Sequence, residues 1–337
     1  MKKLILFFSC FVIALQIQAQ NVLKDVYPIG ESPNIGYKTS MVPDIETLIF
    51  EANPIVRLSL FNTFQQNLQR HEEKKASALY FNFKPQIRMY DDNSKPVRMP
   101  SYHIGIAYQH LIRVPNVDDA LLAFSIESGH YSNGQDRSSF STDYEDGSTE
   151  SNDLYNLITD ESNLSAMINR KSGNFSTNFS EVNVKWIKAI GDLNGNNVPN
   201  SSYSVQLGYN RFHNRLLVVL PDIGGYTEND IKIYGKNRFN LYLNYMNSFH
   251  SDENKIRDWR FDRYVFSTSF HLISKPHASV NPFRTELTGK LFFQNNFGFF
   301  ISGIYGHDNY NLRMVDDGFQ VFLGIVFDSF PRIQWKN

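Results

Sequence analysis

Apolar and polar residues alternate with a period of two along most of the chain. Residues 102–110 set Tyr102, Ile104, Ile106 and Tyr108 against His103, Gly105, Ala107 and Gln109. Residues 203–210 set Tyr203, Val205, Leu207 and Tyr209 against Ser204, Gln206, Gly208 and Asn210, and the same alternation runs through 238–245, 263–272 and 319–327. Similar runs occupy about 77–89, 119–132, 175–190, 283–294 and 297–306. A period of two predicts strands with one apolar face. The runs are about 9–12 residues long, the reach a tilted strand needs to cross a hydrocarbon core. These are ten strands, and residues 44–67 offer two more. Twelve is the expected total, because bacterial single-chain barrels are usually even-numbered. The fold class read from the pattern is all-β, a transmembrane antiparallel up-and-down β-barrel of about 12 strands (10–12). A soluble β-sandwich alternates in the same way. The small residues on the polar faces (Gly, Ser, Asn, Ala) favour the barrel, where that face lines a lumen.

Composition supports this choice. After residue 20 no apolar run of 18 or more residues occurs, which argues against a helical membrane protein. Yet 15% of residues are aromatic, with 28 Phe and 18 Tyr, as expected for aromatic girdles at both membrane interfaces. Mean hydropathy is only −0.37, consistent with an apolar exterior around a polar lumen. A net charge of −1 argues against a nucleic-acid partner. Lys2-Lys3, the apolar stretch Leu4 to Leu15 and Gln18-Ala19-Gln20 read as a signal peptide, residues 1–20. The single cysteine, Cys10, lies inside it, so no thiol chemistry is expected of the mature chain.

The expected organisation is a periplasmic leader at 21–43 and a barrel at 44–337. The longest connection, about 135–173, carries Asp136, Asp143, Glu145, Asp146, Glu150, Asp153, Asp160 and Glu161. Barrels keep their long loops outside the cell. The strand before this loop therefore runs outward and ends at the outer-leaflet headgroups.

On that strand Leu122, Phe124, Ile126, Ser128, His130 and Ser132 share one face, and Leu121, Ala123, Ser125, Glu127 and Gly129 the other. The first set is apolar until its outer end and is expected to face lipid. His130 and Ser132 then stand together on the outer wall, as a general base beside a hydroxyl nucleophile. Only lipids reach that wall, so the expected substrates are the acyl esters of phospholipid or lipid A.

The string His130-Tyr131-Ser132-Asn133-Gly134 resembles the H-x-S-N-G motif of the outer-membrane phospholipase A family. That family is a twelve-stranded barrel with a Ser/His/Asn site on its outer wall, activated by calcium and dimerisation. The H-x-S-N part also resembles the lipid A 3-O-deacylases, a smaller barrel whose third member is a Glu. The phospholipase resemblance implies Ser132 as nucleophile, His130 as general base, the Gly134 amide as oxyanion donor, and a homodimer. Its third member lies about a dozen residues past the serine, but here the acidic loop intervenes. On the next strand Asn178 is the first choice by parity, with Glu181, Ser180 and Asn183 as alternatives. Calcium, implied by the same resemblance, has hard-oxygen candidates in Asp136, Ser138 and Ser139. The implied location is the outer membrane of a Gram-negative bacterium.

No G-x-S-x-G elbow, H-E-x-x-H pair or phosphate-binding glycine loop is present; His71-Glu72-Glu73 continues into Lys74-Lys75. His103, His110, His213, His250, His271, His277 and His307 have no partner by spacing and are expected to be structural. A non-catalytic porin or adhesin barrel is the alternative of a different class.

Overall fold

The computed structural model describes residues 27–40, 46–64, 75–92, 96–114, 120–193, 199–221, 223–249, 261–293 and 296–328. The predicted signal peptide, Cys10, the leader before Tyr27, residues 71–74 and His250 lie outside the described residues.

All ten alternating runs form strands: β4 (Lys75–Tyr90), β5 (Ser101–Arg113), β6 (Ala120–Ser132), β7 (Ser176–Leu193), β8 (Pro199–His213), β11 (Asn237–Ser248), β12 (Phe261–Ser274), β13 (Phe283–Phe293), β14 (Phe297–His307) and β15 (Asp317–Phe327). Before them come β1 (Asn34–Ser40), β2 (Leu48–Asn53) and β3 (Val56–Asn62); a two-residue hairpin, β9 (Arg215–Leu216) with β10 (Leu220–Pro221), stands apart from the main sheet. β1 pairs with β15 and β2, and β2 and β3 both pair with β4, so the sheet closes on itself.

Residues 44–67 do not supply two barrel strands. β2 and β3 lie along the same partner and act as one stave, broken at Pro54, which has no N–H for the ladder. The twelfth stave is β1, so the barrel begins at Asn34, inside the stretch expected to be a leader.

Side-chain parity follows the sequence. Leu207 (61% exposed), Leu287 (64%) and Phe266 (60%) stay open on the outside, while Lys38, Glu51, Asn82 and Arg88 are buried within. A sandwich would bury its apolar face, so this inversion decides for the barrel. No helix among the described residues is long and apolar enough to cross a membrane.

Both ends of the lumen are filled. At the inner end Tyr27 and Ile29 pack among Ala76, Tyr80, Ala107 and Leu111, and the Ile29 N–H donates to Gln109 Oε1 at 3.0 Å. At the outer end a cluster that includes Met99, Tyr131, Leu164, Ile168, Phe175, Phe212, Tyr234 and Leu312 spans the mouth. The acidic connection is part of this cap and not a solvated excursion. It contains α1 (Thr149–Asn156) and α2 (Leu164–Met167), with Ser148 and Asn163 as N-caps. The buried Asn169 amide donates to the Ser138 and Ser141 carbonyls, and Arg170 pairs with Asp316 at 2.6 Å. Its eight named acidic side chains all remain exposed. Below the cap, a cavity of about 620 Å³ is lined by polar groups such as Lys84, Glu127, Glu181 and Asn183.

Candidate functional site

Three neighbouring strands reach the outer rim with the same local pattern: an aromatic ring pointing in and a polar side chain pointing out. In β6 Tyr131 is buried, its ring stacked on His103 with centroids 3.7 Å apart. In β7 Phe179 is buried against the same His103 ring, and in β8 Phe212 is buried against Tyr131 and Tyr226. Strand alternation then sends His130, Asn178 and His213 to the outer face. The register lines them up, with His130 directly opposite Asn178 and Asn178 directly opposite His213.

Across this row His130 Nδ1 lies 3.0 Å from Asn178 Oδ1. The amide cannot be turned the other way. Asn178 Nδ2 donates to the Ile223 carbonyl at 2.7 Å, and a carbonyl only accepts. Oδ1 therefore faces the ring, Nδ1 carries the proton, and the Nε2 lone pair is left free. Asn178 is fully buried, so this arrangement is shielded from water. The shield is the return of the chain after β10. Gly224 adopts φ +62°, and a Cβ there would stand 2.4 Å from His130 Cε1. Only glycine lets the backbone lie on the imidazole edge.

Ser132 is half-buried on the same face, opposite Ser176. It makes no side-chain hydrogen bond to His130 among the described residues; ligand-free sites often leave this contact open until substrate binds. Asn133 staples the loop shut: its Nδ2 donates to the Gly173 carbonyl at 2.8 Å and its Oδ1 accepts from the Phe175 N–H at 3.0 Å. Gly134 follows at φ +64°, exposed, and its N–H has no partner among the described residues.

The alternatives for the third position separate cleanly. Glu181 and Asn183 point into the lumen, where Asn183 and Asn210 both donate to the Glu181 carboxylate (2.8 and 3.3 Å). Neither can reach His130. Ser180 does face outward but belongs to another network. His213 Nδ1 accepts from the Arg215 N–H at 3.2 Å, so in the neutral ring Nε2 carries the proton and donates to Ser180 Oγ at 2.9 Å. Ser180 passes its own proton to Ser128 Oγ at 3.2 Å, and Ser128 donates to the Phe179 carbonyl at 3.0 Å.

The expected calcium ligands do not form a site. Ser138 and Ser139 are buried in the folded loop; Ser138 Oγ accepts from Ser151 Oγ at 2.9 Å and Ser139 Oγ donates to the Asn174 carbonyl at 2.8 Å. Asp136 projects into solvent with only Arg137 near it, at 3.9 Å. A hard divalent cation needs six or more converging oxygens, and these three do not converge.

The fold is similar to that of outer membrane phospholipase A. The likeness to the Escherichia coli protein spans 92% of this chain and 96% of that one, with a TM-score of 0.51 and 11% identity. The Salmonella typhi outer membrane phospholipase, solved as a dimer with bound calcium, gives 0.50 over the same shares at 11% identity. LpxR from Salmonella typhimurium gives 0.38 at 11% identity, over 88% of this chain and 99% of that one. No protein-family profile and no curated protein matches the chain. At these identities the likeness is one of fold.

Sequence reasoning missed Ile223 and Gly224. They act on residues 45 and more positions away, and no local spacing announces such a contact. The Gly224-Gly225 pair was the one available sign of a close backbone approach.

Proposed function

We propose that the protein is an outer-membrane acyl hydrolase that cleaves ester bonds of lipids in the outer leaflet of a Gram-negative outer membrane, with phospholipids as substrate. The observation that carries this reading is the buried Asn178 amide. It is held by the Ile223 carbonyl and fixes the His130 tautomer with Nε2 free, two residues from Ser132 on the lipid side of the wall. Ser132 Oγ attacks the acyl carbonyl while His130 Nε2 takes its proton. The unpaired Gly134 N–H serves as oxyanion donor, a role worth about 3–4 kcal/mol where charge develops. His130 then protonates the leaving alcohol, and water, activated by the same nitrogen, releases the fatty acid from Ser132. Asn178 holds the ring and stays neutral throughout. No step is assigned to Asp136, Ser138 or Ser139. A homodimer is the assembly that the sequence resemblance implies.

Two observations weigh against the other readings. Glu181, the deacylase-type candidate, is turned into the lumen and cannot support His130. A porin needs an open lumen, and here the outer mouth is spanned by packed apolar side chains. The test is fatty-acid release from mixed micelles of phospholipid and detergent, alongside conductance in planar bilayers. The reading expects release that is lost in Ser132→Ala. Release unchanged in that variant, or none from the wild type together with stepwise conductance, overturns it.

A further inference from the structure

The end of β8 and the hairpin after it carry a surface that the hydrolytic chemistry does not use. Arg211 shares the outward face of β8 with His213 and sits opposite Ser180 on one side and Asn237 on the other. Lys236, just before β11, accepts the Phe212 N–H on its carbonyl at 2.9 Å, which brings it to the same rim. Arg215 follows His213 by two residues. The charges of Arg211, Lys236 and Arg215 all fall on the His213 ring. Among the described residues none of the three cations forms an ion pair, and Arg211 and Arg215 are exposed.

Next to this cationic rim, the β9–β10 hairpin touches β6 and β7 and leads into the segment that lies on His130. Its tip, Leu217-Val218-Val219-Leu220, has no polar side chain and is open to the surroundings, Val219 at 73% exposure and Val218 at 54%. Farther down the same outward faces of β6, β7 and β8, Ile126, Val184 and Leu207 are also exposed. Four adjacent open aliphatics are unfavourable in water and favourable among acyl chains. Unpaired cations at the edge of such a surface meet lipid phosphate.

We propose that this surface docks one anionic phospholipid of the outer leaflet. Arg211, Arg215 and Lys236 take its phosphate and the Leu217–Leu220 tip lies along its acyl chains. The esters between phosphate and chains are thereby held beside Ser132 and His130. The docking rests on the lipid-ester reading only for what is delivered; the binding itself is measured without hydrolysis.

The experiment uses the full barrel with Ser132→Ala, reconstituted in phosphatidylcholine vesicles. Spin-labelled phosphatidylglycerol should be held at the protein about five-fold more than spin-labelled phosphatidylcholine, the order of one cation at an anionic surface. R211Q/R215Q/K236Q should bring the two to parity, and inorganic phosphate should leave the preference intact. A fluorophore on Val219→Cys should be quenched by lipid carrying a quencher on its acyl chain and protected from aqueous iodide. No preference in the parent protein, a preference that survives the triple substitution, loss of the preference to inorganic phosphate, or a Val219 probe quenched from water each overturns the proposal. Vesicles that show the preference while the wild type releases no fatty acid would keep the docking and remove the hydrolase.

Discussion

Two histidines stand on the outer wall one strand to either side of Asn178, and their protons lie on opposite nitrogens. His130 donates from Nδ1 to the Asn178 oxygen and has Nε2 free; His213 accepts at Nδ1 from the Arg215 amide and has Nε2 tied to Ser180. The residue types are the same in both places, a histidine with serines nearby. The His213 network is a closed chain of donors that ends on the Phe179 carbonyl. Its ring has no lone pair to offer, because Nδ1 accepts from the Arg215 amide and Nε2 carries the proton toward Ser180. What leaves Nε2 of His130 free is the partner behind the ring, and what fixes that partner is a backbone carbonyl from a distant loop.

The comparison breaks most sharply by exchange of the rings. His130→Gln should lower kcat for phospholipid ester hydrolysis on the order of ten-thousandfold, as loss of a general base does. His213→Gln, which touches no reacting atom, should stay within about fivefold. Equal losses would mean that the two roles are misassigned. Asn178→Ala should cost about a hundredfold in kcat with little change in KM, because the ring loses its fixed orientation. Gly224→Ala presses a methyl group against His130 Cε1, and a loss of about ten- to a hundredfold is expected. Heat-modifiable migration on gels would establish that the barrel itself remains folded in each variant.

A smaller effect separates the site from the cap above it. Arg88 grips Asp308 with both guanidinium nitrogens, at 2.6 and 2.7 Å. Burial alone would raise the Asp308 carboxyl, but Arg88 overrides it and holds it well below the usual carboxylate range. Its folded affinity for protons is thus lower than in the unfolded chain. The stabilisation is present in full above the ordinary carboxylate value, about 3.9, and is lost as pH falls toward the folded one. Thermal unfolding in detergent should shift downward as pH falls below about 4, and Asp308→Asn should flatten that dependence. Smallest of all, Asp136→Asn should leave both activity and stability within error, since this side chain projects into solvent.

Much of the fold was legible because alternation is a local property. Ten strands, their inward and outward faces and the outward placement of His130, Ser132 and Asn178 all follow from it. The pieces that failed are those where local pattern is silent. β1 is short, and its identity as a barrel stave rests on pairing with β15 at the other end of the chain. The acidic loop looks like a solvated surface by composition. Yet its apolar residues, Leu164 and Ile168 among them, fold it onto the mouth, and Ser138 and Ser139 are spent on hydrogen bonds within it. Composition alone did not show that Ser138 and Ser139 are hydrogen-bonded inside the loop.

The sequence by itself determined which side of the wall each residue occupies, since parity along a strand is set by the pleat alone. Parity favoured Asn178 and Ser180 over Glu181 and Asn183, but choosing between the first two depends on register, and register is a relation between two strands. Only the tertiary structure placed Asn178 opposite His130 and laid Ile223 and Gly224 over both. A hydrogen bond across 45 residues is decided by how the loops pack, and no pattern in the chain encodes that distance.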